Sequence, residues 1–188
     1  NGVAPPAQFT LIRSGVDFSV FDPARHDKAA ARAELGLPEK APIVITVGAL
    51  TAQKNPLEAA QVVANVRNSF PELRWLVVGD GPLREDLQAE AERLNLGDAF
   101  QWLGLRQDIP RLLAAADVFL LTSRWEGLPC TLLEAMAMGK AVVATQVDGV
   151  LDVIEDNVTG YVRDPEVFAM ELQALARPQV ATRLIYSR

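Results

Sequence analysis

The sequence predicts an α/β domain on a doubly wound, Rossmann-like parallel sheet, and three observations carry that reading. Short apolar, largely β-branched runs such as Ile43-Val44-Ile45-Thr46-Val47 alternate with segments of helical periodicity. The Ile43–Val47 run is continuous instead of alternating apolar and polar, as a strand covered on both faces requires. Glycines follow the strand ends at Gly48, Gly79, Gly81, Gly104 and Gly127, where the chain must turn sharply or approach a ligand closely. Such alternation implies parallel strands joined by right-handed crossovers, with the post-strand turns gathered along one edge of the sheet.

Residues 1–38 read as a lead-in and 39–188 as the domain. Asn1 to Gln8 are rich in Gly, Pro and Ala, and the stretches Ile12 to Asp17 and Phe21-Asp22-Pro23 carry turn chemistry. Asp27 to Leu35 should form a short helix closed by Gly36 and Pro38. Ile43–Val47 is the first strand. Pro56 opens a helix with Leu57, Ala60 and Ala64 on one side. Trp75–Val78 is the second strand, ending at Gly79-Asp80-Gly81. Pro82 then stands in the first turn of a helix with a core stripe of Leu83, Leu87, Ala91 and Leu94. Phe100–Leu103 is a third strand and Ile109–Ala115 a short helix. Val118–Leu121 and Ala141–Thr145 are the fourth and fifth strands, with a helix between them. Tyr161-Val162 reads as a short edge strand, and Glu166–Ala176 as a final helix.

Composition narrows the function classes. With 188 residues, 49% of them hydrophobic and 22% charged, the chain can build one ordinary core. A net charge of -6 without a long basic run argues against nucleic acid as a partner. The longest apolar stretches are strand-sized, so no transmembrane helix is expected. No signal-peptide pattern stands at Asn1. A lone Cys130 cannot make an internal disulfide framework and suits a reducing compartment. His26 is the sole histidine, and no Cys/His cluster suggests a metal site. A cytoplasmic location follows as the expectation. Gly79-Asp80-Gly81-Pro82 lacks the third glycine of a dinucleotide fingerprint, and no Gly-Lys-Ser/Thr run is present.

The most informative stretch is Ser123-Arg-Trp-Glu-Gly-Leu-Pro-Cys-Thr-Leu-Leu-Glu-Ala-Met-Ala137. It follows the apolar run Val118–Leu121, so its order is buried strand, polar loop, helix. Glu126 falls on the Gly/Pro loop and Glu134 inside the helix, with seven residues between them. Open α/β sheets hold ligands beyond the carboxyl ends of strands, at helix N-termini. Loop amides there can hold an anion while two carboxylates reach hydroxyl groups, and phosphate with hydroxyls suggests a nucleotide-sugar.

This segment, continued through Gly139-Lys140-Ala141-Val142-Val143-Ala144-Thr145, resembles the donor-site signature of family 4 glycosyltransferases, retaining enzymes of the GT-B fold. Val47-Gly48-Ala49-Leu50-Thr51-Ala52-Gln53-Lys54-Asn55-Pro56 is similar to that family's first donor loop. Lys54 stands where the family has a diphosphate-binding lysine, but Ala49 stands where it has an arginine. Gly79-Asp80-Gly81-Pro82 resembles a donor-lining turn, and Leu103-Gly104-Leu105-Arg106-Gln107-Asp108 the loop that brackets the nucleobase. Ser14-Gly15-Val16-Asp17 with Phe21-Asp22-Pro23 is similar to the linker between the family's two domains. Asp148-Gly149 replaces a usual Gly-Gly, and Asp152 a usual Glu. The resemblance covers residues 12 to 162.

The resemblance implies a metal-independent, retaining transfer of a sugar from a nucleotide-sugar to an acceptor, with no cofactor, in cell-envelope or polysaccharide biosynthesis. It assigns catalysis to Glu126 and Lys54. Donor binding falls to Gly48, Gly79, Gly81, Arg106, Gly127, the amides of Cys130 and Thr131, and Glu134 for the ribose. Trp102 and Trp125 are expected to be packing residues. The chain corresponds to the C-terminal, donor-binding half, and the acceptor belongs to an N-terminal domain outside these residues. The isolated half is expected to bind donor and transfer poorly, and the full-length enzyme to work at the inner face of the membrane. Two other readings stand beside it: a non-catalytic nucleotide-sugar-binding module, and a nucleotide-sugar epimerase.

Overall fold

The computed structural model describes residues 15–163. The lead-in before Gly15 and the helix expected at Glu166–Ala176 lie outside the described residues. The elements, in chain order, are α1 (Lys28–Glu34), β1 (Ile43–Val47), α2 (Pro56–Arg67), β2 (Arg74–Val78), α3 (Arg84–Arg93), β3 (Phe100–Gly104), α4 (Ile109–Ala115), β4 (Val118–Leu121), α5 (Cys130–Ala137), β5 (Ala141–Thr145), α6 (Asp148–Leu151) and β6 (Tyr161–Arg163). Single 3-10 turns precede α1 at Pro23–Arg25 and β3 at Gly97–Ala99.

The strands form one parallel sheet in the order β3-β2-β1-β4-β5-β6. This is the doubly wound order, with the direction of winding reversed between β1 and β4. Residues alternate between two cores. Ile43, Ile45, Leu76, Phe119 and Val142 face one layer with Leu112, Leu113, Leu132 and Ala135 of α4 and α5. Val44, Trp75, Val77, Leu120 and Val143 face the other, with Ala59, Val63 and Val66 of α2 and Leu87 and Ala91 of α3. Burial on both faces explains why the strands read as unbroken apolar runs.

α1 joins the first core through Ala31, with Leu37 just beyond its end, and Asp27 caps it by accepting from the Ala30 amide at 2.7 Å. Its Arg32 crosses to β4, donating to the Asp117 carboxylate at 2.7 Å, while Lys28 reaches the other Asp117 oxygen at 2.5 Å. Asp117 also accepts from the amide of Ile43 at 2.7 Å, so one carboxylate ties α1 to the starts of β1 and β4.

Three local expectations change. α2 buries Ala59, Ala60, Val62, Val63 and Val66, with Leu57 and Ala64 only at the margin of the stripe. α3 begins at Arg84, leaving Pro82 in the preceding turn, because the amides of Leu83 and Arg84 are taken by the carbonyls of Leu50 and Gly81. The single turn α6 carries Gly149, a poor helix former, and left no periodic signal. β6 is an edge strand, as expected.

Candidate functional site

Because all strands are parallel, the loops leaving their carboxyl ends share one edge of the sheet. β1 and β4 are neighbours, so the loops Gly48–Asn55 and Thr122–Pro129 lie side by side at the reversal point. They are laced together. The Thr122 hydroxyl donates to the carbonyls of Lys54 and Asn55 at 3.1 and 3.0 Å. The Arg124 amide donates to the Gln53 carbonyl at 2.8 Å, and the Gln53 side chain to the Trp125 carbonyl at 3.0 Å.

The lacing brings Lys54 and Glu126 together. Lys54 Nζ lies 2.6 Å from Glu126 Oε1, and the Ser123 hydroxyl donates to the same oxygen at 2.5 Å. The Glu126 side chain is only 5% exposed. Such donors offset the cost of taking a carboxylate out of water. The Lys54 stem passes over Gly48, where a Cβ would stand 3.7 Å from its methylenes.

Glycine is required where backbone closely approaches backbone, at Gly79 and Gly149 above all. Gly79 has φ +130°, and a Cβ there would stand 1.9 Å from the Gly48 carbonyl oxygen. The Gly79 amide donates to the Gly104 carbonyl and the Trp102 indole N–H to the Gly79 carbonyl, both at 2.8 Å, so the loops after β1, β2 and β3 close on one another. Gly149 of α6 packs on the other side, where a Cβ would stand 2.0 Å from the Gly127 carbonyl oxygen.

Beside Gly48 and Gly79 a cavity of about 220 Å³ opens, walled also by Ala49, Asp80, Leu105 and Arg106. Arg106 is held flat by a two-point contact with Asp108 at 2.8 and 2.7 Å, and that contact keeps the Asp108 carboxyl below the usual carboxylate range. Leu105 is 80% exposed at the rim. Gly81 packs against the Leu50 backbone and does not wall this cavity.

At the start of α5, Pro129 offers no side-chain cap. Pro129 accepts from the amides of Leu132 and Leu133, while those of Cys130 and Thr131 have no acceptor among the described residues. Free amides at a helix N-terminus suit an anion. Cys130 is exposed, its thiol 3.8 Å from the Leu128 carbonyl. Glu134, further along the helix, forms no hydrogen bond or ion pair with a described residue, and burial pushes its carboxyl above the usual range.

The structure therefore sets the expected residues in two adjoining groups: Gly48, Gly79 and Arg106 around the cavity, and Lys54 with Glu126 at the reversal point. Trp102 braces Gly79 and lies under the Arg84 guanidinium, 5.2 Å from its ring centre. Trp125, expected to pack, is instead 56% exposed on the loop after β4, where Gln53 holds its carbonyl. Sequence reasoning missed Thr122, Ser123 and Thr145. Their signal was a hydroxyl at the carboxyl end of each of two wholly apolar strands.

Comparison with known proteins gives a consistent picture. The family described as Glycosyl transferases group 1 matches residues 27–177. The chain is 34% identical over 176 residues to UDP-Gal:alpha-D-GlcNAc-diphosphoundecaprenol alpha-1,3-galactosyltransferase of Escherichia coli, covering 92% of this chain and 45% of the relative. Anabaena Alr3699/HepE, solved in complex with UDP and glucose, superposes with a TM-score of 0.78 at 26% identity, over 91% of this chain and 48% of that one. WaaG, a glycosyltransferase involved in lipopolysaccharide biosynthesis, gives a TM-score of 0.87 at 24% identity, over 96% and 51%. The chain thus spans about half the length of the relatives it matches. No helix among the described residues is long and apolar enough to cross a membrane. By its match over residues 27–177 and its kinship with the Escherichia coli enzyme, the chain belongs to the glycosyl transferases group 1 family.

Proposed function

We propose that this chain is the nucleotide-sugar-binding half of a retaining glycosyltransferase of family 4, working with an N-terminal acceptor domain and without a metal. The observation that carries the reading is the Lys54–Glu126 pair at the β1/β4 reversal point, beside the free amides of Cys130 and Thr131. The relatives support it: the Escherichia coli enzyme is named for UDP-Gal, and HepE was solved with UDP and glucose.

In this reading the diphosphate lies between Lys54 and the first turn of α5, where an ammonium, two amides and the helix dipole supply positive potential without a metal. Among the described residues no group of three His, Cys, Asp or Glu side chains converges on a metal position. The base enters the cavity walled by Gly48, Gly79 and Arg106, with the Arg106 plane stacked on it. Glu134 accepts from the ribose hydroxyls. Glu126 accepts from the donor sugar and stands close to the positive charge that develops at the anomeric carbon. As the bond from that carbon to the phosphate oxygen breaks, its electron pair stays on the diphosphate. The acceptor oxygen bonds to the anomeric carbon from the same face, and its proton passes to the departing phosphate oxygen.

Calorimetric titration of the chain with UDP, GDP and ADP, with and without added magnesium, tests this. Metal-independent binding of one of them, lost in Glu134→Ala, is expected. A folded chain that binds none of them overturns the reading. A second reading, a binding module without transfer, is favoured by Ala49, which leaves the β1 loop one cation short. Transfer by the complete protein to an acceptor lipid or glycan decides between the two.

A further inference from the structure

Four polar or charged residues are buried among the described ones, and three of them, Thr122, Ser123 and Thr145, meet around the Lys54–Glu126 pair. Thr122 holds the Lys54 backbone through two carbonyls. Ser123, wholly buried, donates its hydroxyl proton to Glu126 Oε1. Thr145, at the end of β5, donates to the Ser123 carbonyl at 2.5 Å. The register of β4 on β5, with Leu121 opposite Ala144, brings the two strand ends to the same level.

We infer that Ser123, braced by Thr145, is a positioning residue for Glu126, fixing which of its carboxylate oxygens is left to receive the donor sugar. The inference rests on the site reading above and adds a role to residues that reading does not use. Ser123 and Lys54 converge on the same oxygen, Oε1, at 2.5 and 2.6 Å. Two charge-assisted donors on one oxygen set the plane of the carboxylate. Oε2 has no hydrogen-bond partner among the described residues, so it is the acceptor that remains. Lys54 alone could not hold this arrangement, because in the proposed complex its ammonium is shared with the diphosphate. Ser123 stays on Oε1 throughout, and its Cα is fixed by the Thr145 contact and the end of the β4 ladder.

A positioning role and a merely structural role differ in what they do to the sugar increment, the ratio of affinities for a sugar nucleotide and its bare diphosphate. Calorimetry on the full chain with UDP, GDP and ADP and with UDP-glucose, GDP-glucose and ADP-glucose measures that ratio. Ser123→Ala is expected to lower it about ten-fold, a loss in line with one hydrogen bond to a charged group, while bare diphosphate binding stays within about two-fold. Thr145→Val, which keeps the side-chain shape, is expected to lower it several-fold and covers the case in which Ser123→Ala does not fold. An unchanged ratio in both variants overturns the inference. Equal loss for both ligand types also overturns it, since that is the mark of a structural role. If the unaltered chain binds none of the six ligands, the site reading itself fails and takes this inference with it.

Discussion

Lys54 and Glu126 stand 72 residues apart in the chain and 2.6 Å apart in space, across the boundary between the two halves of the sheet. Removing one partner leaves the other poorly solvated and half-paired, whereas removing both restores neutrality. Lys54→Met is therefore expected to cost about 1–3 kcal/mol of stability, less than a fully buried pair because the ammonium is partly solvated. Lys54→Met combined with Glu126→Gln is expected to recover part of that loss. A double-mutant cycle from urea unfolding measures the coupling, and strict additivity would show the pair to be energetically idle.

Ala49 walls the cavity at the position where the resembled family carries an arginine. Ala49→Arg should add a charge-assisted contact to the diphosphate worth about 1.5–3 kcal/mol, tightening nucleotide binding roughly ten- to a hundred-fold. Titration of the variant with the preferred nucleoside diphosphate checks this. Unchanged affinity would mean that the diphosphate does not lie beside the β1 loop.

Burial raises the Glu134 carboxyl, so this group keeps its proton to a higher pH than an ordinary glutamate. In the proposed complex its charged form is the better acceptor for the ribose hydroxyls, so nucleotide affinity should fall on the acid side and fall earlier than for an exposed carboxylate. For stability the sign is opposite: with a folded pKa above the unfolded one, its contribution is present at low pH and lost as pH rises through the folded value. Glu134→Gln should thus be more stable near neutral pH, bind more weakly, and lose the acid limb of the binding profile. Persistence of that limb in the variant would assign it to another group.

Lys140 sits at the opposite end of the sheet, with its ammonium 3.4 and 3.3 Å from the carbonyls of Ala114 and Ala116. Burial, helped by Lys28 and Arg32 and opposed by Asp117, pushes its pKa down to about 8. A depressed lysine is bound more tightly by its proton in the unfolded chain, so folding stability should rise with pH from about 8 towards the unfolded value and be lost as pH falls through 8. The stability of the unaltered chain minus that of Lys140→Met, from urea midpoints between about pH 7 and 10, should therefore climb with pH. A flat difference would show that the ammonium is solvated.

Gly149 opposes two effects of known size. In a helix, Gly→Ala gains about 1 kcal/mol of propensity. At this position the new Cβ would meet the Gly127 carbonyl oxygen at 2.0 Å and the Glu126 carbonyl oxygen at 2.8 Å. Overpacking against backbone costs about 1–3 kcal/mol or more, so the clash wins. Gly149→Ala should lower the melting temperature and weaken donor binding by shifting the Glu126 loop. A stabilised variant with full affinity would show that α6 moves freely.

The centre of the sheet was legible because β1, β4 and β5 are covered on both faces and read as short apolar runs. Ile43–Val47, Ile109–Ala115, Val118–Leu121 and Ala141–Thr145 have the same limits in sequence and structure. Boundaries set by tertiary hydrogen bonds were not legible: α3 starts late because Leu50 takes the Leu83 amide. Within the site, the motif pointed to Lys54 and Glu126, but nothing in their spacing says that they touch, since that follows from β1 and β4 being neighbours. Hydroxyls at the ends of two apolar strands mark Ser123 and Thr145 in the sequence, but their contact with each other follows from β4 and β5 being neighbours.

The strand order has a consequence for how the chain is made. Glu126 follows the fourth strand to be synthesised, yet its partner Lys54 follows the first, and β1 pairs with β2 before β4 exists to flank it. A nascent chain that ends before residue 126 can hold half a sheet and no Lys54–Glu126 pair. The proposed ligand site is thus a late product of folding, formed by the same pairing that joins the two halves. A ligand that binds there stabilises only the finished domain, and its thermal shift reads out completion of the sheet as directly as occupancy of the site.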